Sequence, residues 1–166
     1  MGNIIRNPLT IFILLAAAVL VLAAFFQPAP ANNQSAVSSS QVLSSDSVYY
    51  DFGAVSMANG KIEHEFKVKN TTAEKIDIDK MYTSCMCTVV SFIKGDVKKG
   101  PFGMPGHGFV PPLNQSLEPN EEAIVKVIFD PAAHGPAGIG KIQRAIYLEG
   151  GGSALIELQI SATVTP

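Results

Sequence analysis

The chain has 166 residues, a net charge of −2, no tryptophan, 14 glycines and 11 prolines. This length predicts one domain once the tails are set aside. Lysines and acidic residues alternate without forming a basic patch, which argues against a nucleic-acid partner, and the frequent Gly and Pro are typical of strands joined by turns.

The N-terminal segment predicts a membrane anchor. Residues 1–7 carry one positive side chain, Arg6, and residues 8–26 carry no charge. These 19 residues would span roughly 28 Å as a helix, close to the hydrocarbon thickness of a bilayer. We expect a cytoplasmic N-terminus, a single transmembrane signal anchor at 8–26 and an extracytoplasmic remainder. A signal peptide cleaved near Ala29–Ala31 is the alternative, which would leave a secreted protein.

A polar, Ser- and Asn-rich stretch at 27–47 predicts a flexible linker, so the folded domain is expected to begin near Val48. From there, apolar residues recur at every second position. The pattern predicts about seven strands and an all-β, immunoglobulin-like antiparallel sandwich over residues 48–166. His64 falls on the apolar face of its strand, as expected of a core histidine. The predicted strands are VYYDF, KIEHEFKVKN, KIDIDKMY, CTVVSFI, AIVKVIFD, KIQRAIYLE and ALIELQISATV.

Residues 93–117 interrupt this rhythm with a long Gly/Pro-rich loop. Loops of this length are uncommon in compact domains unless they are functional or disordered. We expect a partly ordered loop that lays apolar side chains back onto the sandwich and binds a partner. The candidate binding residues are Phe102, Met104, His107 and Phe109.

Cys85 and Cys87 are the only cysteines, one residue apart in TSCMCTVV. In an extended chain their sulfurs share one face and their Cα atoms lie about 6.6 Å apart, near the upper limit for a disulfide. Three interpretations stay open: reduced thiols packed at the core edge, a labile disulfide with a redox role, or a soft-metal site for Cu(I) or Zn(II).

The metal hypothesis draws on further soft or borderline donors, namely Met81, Met104, His107 and His134. In an alternating sandwich, the turn before the Cys strand and the loop carrying His134 emerge at the same end. His134 is therefore better placed than His107, although the long loop could fold back. The chain has no Gly-x-Ser-x-Gly, Walker or His-Glu-x-x-His motif, so we expect a protein that is not an enzyme.

Five stretches in order resemble a bacterial family known as domain of unknown function 1573. They are YYDFGAV, HEFKVKNTT, TSCMCT, LEPNEEAIVKVIFDP and LIELQISATV. The resemblance covers Val48 to Val164 and implies an immunoglobulin-like fold, related to the major sperm protein and cilia-associated domains and often exported, with no assigned activity. Met86 replaces the usual Gly between the cysteines, Asn120 replaces the Gly of Pro-Gly-Glu, and the Gly/Pro-rich insert is longer than usual.

The leading functional prediction is a membrane-tethered, non-catalytic module that contacts an unidentified envelope protein through sheet edges or the long loop. The first alternative is extracytoplasmic copper binding through Cys85, Cys87 and a loop histidine. The second is a thiol redox role for the cysteine pair.

Overall fold

The computed structural model describes residues 42–166. Within this range no helix has the length and hydrophobicity that a membrane crossing requires. The predicted cytoplasmic segment at 1–7, the anchor at 8–26 and most of the 27–47 linker lie outside the described residues.

The described chain is almost entirely strand, with two short 3-10 helices at Met57–Asn59 and Gly135–Gly138. Eleven strands replace the seven predicted over this part of the chain. They are β1 Leu43–Ser45, β2 Tyr49–Ser56, β3 Ile62–Asn70, β4 Ile76–Ile78, β5 Lys80–Thr83, β6 Thr88–Lys94, β7 Val97–Phe102, β8 Gln115–Leu117, β9 Glu122–Phe129, β10 Gly140–Gly150 and β11 Ser153–Thr165.

The strands form two main sheets that face each other. One has the order β1-β3-β9-β6-β7, the other β2-β11-β10-β5, and β4 pairs with β8 separately. Buried side chains from both main sheets make a single core, as the period-two pattern predicts. The core's largest members include Phe66, Phe92, Phe129, Ile146, Leu148 and Ile156.

The antiparallel prediction is wrong at one pair, because β2 runs parallel to β11. β1 pairs with β3 in one sheet, and the chain then crosses to the other sheet between Ser45 and Tyr49. β2 keeps the direction of β1 but lies in the other sheet, where its neighbour β11 runs the same way. The two strands therefore pair in parallel.

The fold begins before the predicted boundary at Val48. Leu43 is fully buried and pairs with Asn70, and the Val42 N–H donates to the Leu155 carbonyl at 3.1 Å. A three-residue strand with one buried side chain leaves little trace in a serine-rich composition. The predicted linker therefore contains the first strand.

The predicted 93–117 loop also contains structure. β7 and β8 lie within it, and Phe102 and Leu113 are buried in the core. The VKKGPF sequence of β7 lacks apolar alternation because β7 is an edge strand, where lysines and proline are tolerated. Likewise the predicted KIDIDKMY strand divides at Asp79 into β4 and β5, which belong to different sheets.

Asn70 organises the end of β3. Its side-chain amide donates to the carbonyls of Glu74 and Leu117 at 2.8 and 2.9 Å, and its Oδ1 accepts from the Thr72 N–H at 2.9 Å. Its backbone carbonyl accepts from the N–H of Asn120, which adopts φ +65° where the resembling family has Gly. Asn tolerates this left-handed conformation better than most residues, so the turn keeps its shape.

Candidate metal and thiol site

The cysteines lie on a turn that carries the chain from one sheet to the other. β5 ends at Thr83 and β6 begins at Thr88, and the Thr88 N–H donates to the Cys85 carbonyl at 3.1 Å. The Thr83 hydroxyl lies within hydrogen-bond distance of the carbonyls of Cys85 and Thr88, at 3.0 and 2.9 Å. Met86 sits in the turn without a positive φ, so the position needs no glycine.

This turn corrects the extended geometry expected of Cys85 and Cys87. The two sulfurs lie 2.9 Å apart, with the Cys87 thiol donating to Cys85. Both cysteines are free thiols. The turn therefore places two soft donor atoms side by side, which an extended strand would not do.

His134 completes a group of three donors. Its Nε2 lies 3.2 Å from Cys85 Sγ, and the donor atoms of Cys85, Cys87 and His134 all lie within 4.8 Å of one another. The loop that carries His134 follows β9 and is tied to the cysteine turn by the Asp130 N–H, which donates to the Cys87 carbonyl at 2.8 Å. The two segments meet at one end of the sandwich, as the topology predicts.

Arg144 on β10 is a member of the site that the sequence reasoning missed. Its Nε donates to Cys87 Sγ at 3.3 Å, and its Nη1 donates to the Gln143 carbonyl at 2.8 Å. The sequence did carry a signal for this residue. Arg144 alternates along β10 with Ile146 and Leu148, which are buried, so the alternation assigns it to the same inward face. A charged side chain on the inward face of a strand is costly to bury unless another group pairs with it or accepts its hydrogen bonds.

The two thiols differ in acidity. Partial burial opposes ionisation of Cys85, but hydrogen bonds from Cys87 and His134 and the charge of Arg144 outweigh it and lower the pKa of Cys85 to about 7. Burial raises the pKa of Cys87, and donation of its proton to Cys85 raises it further. Cys85 is thus the more reactive, partly exposed sulfur, and Cys87 is its buried neighbour.

The other predicted site residues lie elsewhere. Met81 is fully buried in the core, and His107 is exposed and outside the donor group that residues 42–166 contain. In the predicted binding loop, Phe102 belongs to the core, Met104 is half-buried, and Phe109 is 88% exposed. The loop therefore presents Phe109 and His107 outward and uses Phe102 as an anchor.

A cleft of about 690 Å³ opens beside the site. Cys85 and His134 line one part of it, and the first half of β10 lines another. The cleft gives a ligand or a partner direct access to the Cys85 sulfur.

Solved structures similar to this chain share its sandwich fold. A protein of unknown function from Porphyromonas gingivalis W83 aligns with a TM-score of 0.50 and 14% identity, over 79% of this chain and 51% of that protein. This chain thus spans about half the length of that protein. A PapD-like domain of human CEP192 aligns with a TM-score of 0.43 and 10% identity, over 75% of this chain and 86% of that domain.

 The periplasmic chaperone SfaE aligns with a TM-score of 0.44 and 9% identity, over 75% of this chain and 57% of that chain.

No curated protein matches this chain. Residues 43–104, which are less than half of the chain, match the family described as "Protein of unknown function (DUF1573)". The matched range includes β1 to β7 and the cysteine turn. The predicted resemblance to this family is therefore confirmed over residues 43–104.

Proposed function

We propose that this domain is a non-catalytic binding module whose ligand is a soft metal ion, Cu(I), held by Cys85, Cys87 and His134. The observation that carries the proposal is the convergence of these three donor atoms, from two distant segments, within 4.8 Å. Thiolate and imidazole are the donors that soft and borderline ions such as Cu(I) and Zn(II) prefer.

The charges of the site favour Cu(I) over Zn(II). Two thiolates and a monovalent ion leave one net negative charge, which the Arg144 guanidinium, 3.3 Å from Cys87 Sγ, can balance. Two thiolates and Zn(II) leave no net charge for Arg144 to balance. Zn(II) also prefers four ligands, whereas the described residues bring three His, Cys, Asp or Glu donors together.

The burial of the donors fits a binding role. Cys87 is only 3% exposed, whereas Cys85 is partly exposed and lines the cleft. An ion would enter from the cleft side and meet Cys85 and His134 before Cys87. The hydrogen bonds around the turn hold the donors in place, so little reorganisation would be needed on binding.

We further propose that the module works outside the membrane, tethered by the uncharged segment at 8–26 or secreted if that segment is cleaved. An envelope protein is the proposed partner, contacted through a sheet edge or through the exposed Phe109 of the long loop. In an oxidising, extracytoplasmic setting, a thiol pair would need a bound ion or a reductant to stay reduced.

The test is a Cu(I) titration of the reduced full-length chain, purified in detergent, against a competing chromophoric chelator. We expect one tightly bound Cu(I) per chain. The double variant Cys85→Ser/Cys87→Ser should lose this binding, and an affinity equal to that of the unchanged protein would refute the proposal.

A second function, thiol–disulfide exchange, is favoured by the position of Arg144, which donates to Cys87 and whose charge helps to lower the pKa of Cys85. A cation beside a thiol pair stabilises the thiolate that attacks a disulfide. In this reaction the two thiols lose two electrons and two protons and form the Cys85–Cys87 disulfide, while a substrate disulfide gains them and becomes two thiols. Thiol labelling of protein taken directly from its compartment tests this function, because permanently reduced cysteines would contradict it.

A further inference from the structure

The β10 strand is paired along only half of one edge. β5 pairs with Ile146 to Glu149, and then the chain leaves this sheet through the cysteine turn. Between Gly140 and Ala145, no strand of residues 42–166 continues the line of β5. The sheet therefore has a half-length open edge that begins beside Cys85.

The hydrogen bonds around β5 show which backbone groups face this edge. The Glu149 carbonyl accepts from the Asp79 N–H at 2.8 Å, and the Ala145 carbonyl accepts from the Ser84 N–H at 2.9 Å. Since alternate residues of a strand direct their backbone groups to the same side, Gln143 and Lys141 face the same way.

The Gln143 carbonyl already accepts from Arg144 Nη1 at 2.8 Å. Three groups therefore stay available to a new strand, namely the Gln143 N–H and the N–H and C=O of Lys141. Unpaired strand groups of this kind are sites for strand addition.

The cleft of about 690 Å³ is lined by residues 141–144 of this open edge together with Cys85 and His134. Its lining includes Lys141 and Arg144 and no acidic residue. Five strand residues opposite 140–144 would extend about 16 Å. Arg144 is engaged by Cys87, so Lys141 supplies the positive charge of the cleft that favours an acidic side chain in the occupant.

We propose that this edge binds an extended, acidic segment of a partner protein as an added antiparallel strand, placed end to end with β5. The segment presents a sulfur side chain, from methionine or cysteine, to the ion at Cys85. The sulfur contact rests on the proposed Cu(I) function, whereas the strand pairing does not need the ion.

The test uses a blocked, fluorescently labelled peptide of about six residues that alternates Thr and Glu and carries an N-terminal Met. A matched peptide has N-methyl groups on the backbone nitrogens that would pair. Anisotropy with the reduced, copper-free full-length chain should show binding of the first peptide and about tenfold weaker binding of the second. Equal affinity for the two peptides would overturn the proposal, and this result does not depend on any protein variant.

A protein variant checks the same contact from the other side. Gln143→Pro removes the outward N–H at an edge position that tolerates proline, and Gln143→Ala keeps it. Both variants lose the side-chain bond to Gln159, so they are matched. We expect Gln143→Pro to lower the affinity for the peptide about tenfold and Gln143→Ala to change it by less than about twofold. Equal affinities for two folded variants would contradict strand pairing.

Two further measurements separate the alternatives. Loading with Cu(I) should raise the affinity for the Met peptide about tenfold or more and leave the affinity for a Leu-substituted peptide unchanged. If the chain binds no Cu(I) but still distinguishes the methylated peptide, the metal function fails while the strand site stands. If sedimentation shows a dimer that Gln143→Pro dissociates, a second copy fills the edge and the partner-segment proposal is overturned.

Discussion

Replacement of Cys85 by serine is the sharpest single test of the metal site. Serine keeps the size of the side chain but exchanges a soft sulfur for a hard oxygen, which Cu(I) binds poorly. Cys85 is partly exposed, so we expect the variant to fold with a stability within about 1 kcal/mol of the unchanged protein. Its Cu(I) affinity should fall sharply.

The size of the fall follows from the number of donors. Zinc-finger peptides bind their ion with about 10–16 kcal/mol through four ligands, or about 2.5–4 kcal/mol for each. A tenfold change in affinity corresponds to about 1.4 kcal/mol. Loss of one of the three donors, Cys85, Cys87 and His134, should therefore weaken Cu(I) binding about 10²–10³-fold.

The assay is competition with a Cu(I) chelator of known affinity under anaerobic, reducing conditions. Met86→Ala is the matched control, because Met86 lies between the cysteines, carries a soft sulfur and is exposed. We expect this control to change the affinity by less than about twofold. If Cys85→Ser binds Cu(I) as tightly as Met86→Ala does, Cys85 is not a ligand. The argument that the net charge of the site favours Cu(I) over Zn(II) then fails as well.

Three other predictions test the fold and the acidity of the site. Leu43→Ala should lower the free energy of unfolding by about 2–5 kcal/mol in urea denaturation, because Leu43 is fully buried in the core. Asn70→Ala should lower it by about 2–3 kcal/mol, because it leaves the Leu117 carbonyl without its donor. Alkylation of Cys85 should accelerate as the pH rises through about 7, the pKa of its thiol, since only the thiolate reacts. Arg144→Gln should move this midpoint to higher pH.

The Leu43→Ala and alkylation predictions each have their own check. Val48→Ala changes an exposed residue near the start of β2 and should alter stability by less than about 0.5 kcal/mol. A Leu43→Ala loss no larger than that would place the start of the fold at Val48 after all. An alkylation profile centred near 9, the ordinary value of a cysteine thiol, would contradict the lowered pKa of Cys85.

The long strands could be predicted because their burial is a local, repeating property. In β9 and in the second half of β10, buried residues occupy every second position, as the sequence pattern indicates. β1, β7 and β8 escaped prediction because they are short or lie at edges, where pairing with a neighbour decides the strand. Composition alone could not distinguish them from linker and loop.

The candidate site was predictable only in part. The topology placed His134 near the cysteines, and the structure brings its Nε2 to 3.2 Å from Cys85 Sγ. The extended geometry expected of Cys85 and Cys87 was wrong, because the chain must turn there to reach the opposite sheet. Arg144 carried a signal in its inward strand position, but nothing in the sequence identified Cys87 as its partner.

The sequence by itself determined an all-β domain with a sandwich core, because alternating apolar residues can be buried only on one face of a strand. The tertiary structure alone decided that two thiols, an imidazole and a guanidinium share one site. Cys85 and His134 are 49 residues apart in the chain, and their contact depends on how two turns meet at one end of two packed sheets. Distances of that kind follow from packing, which no local pattern encodes.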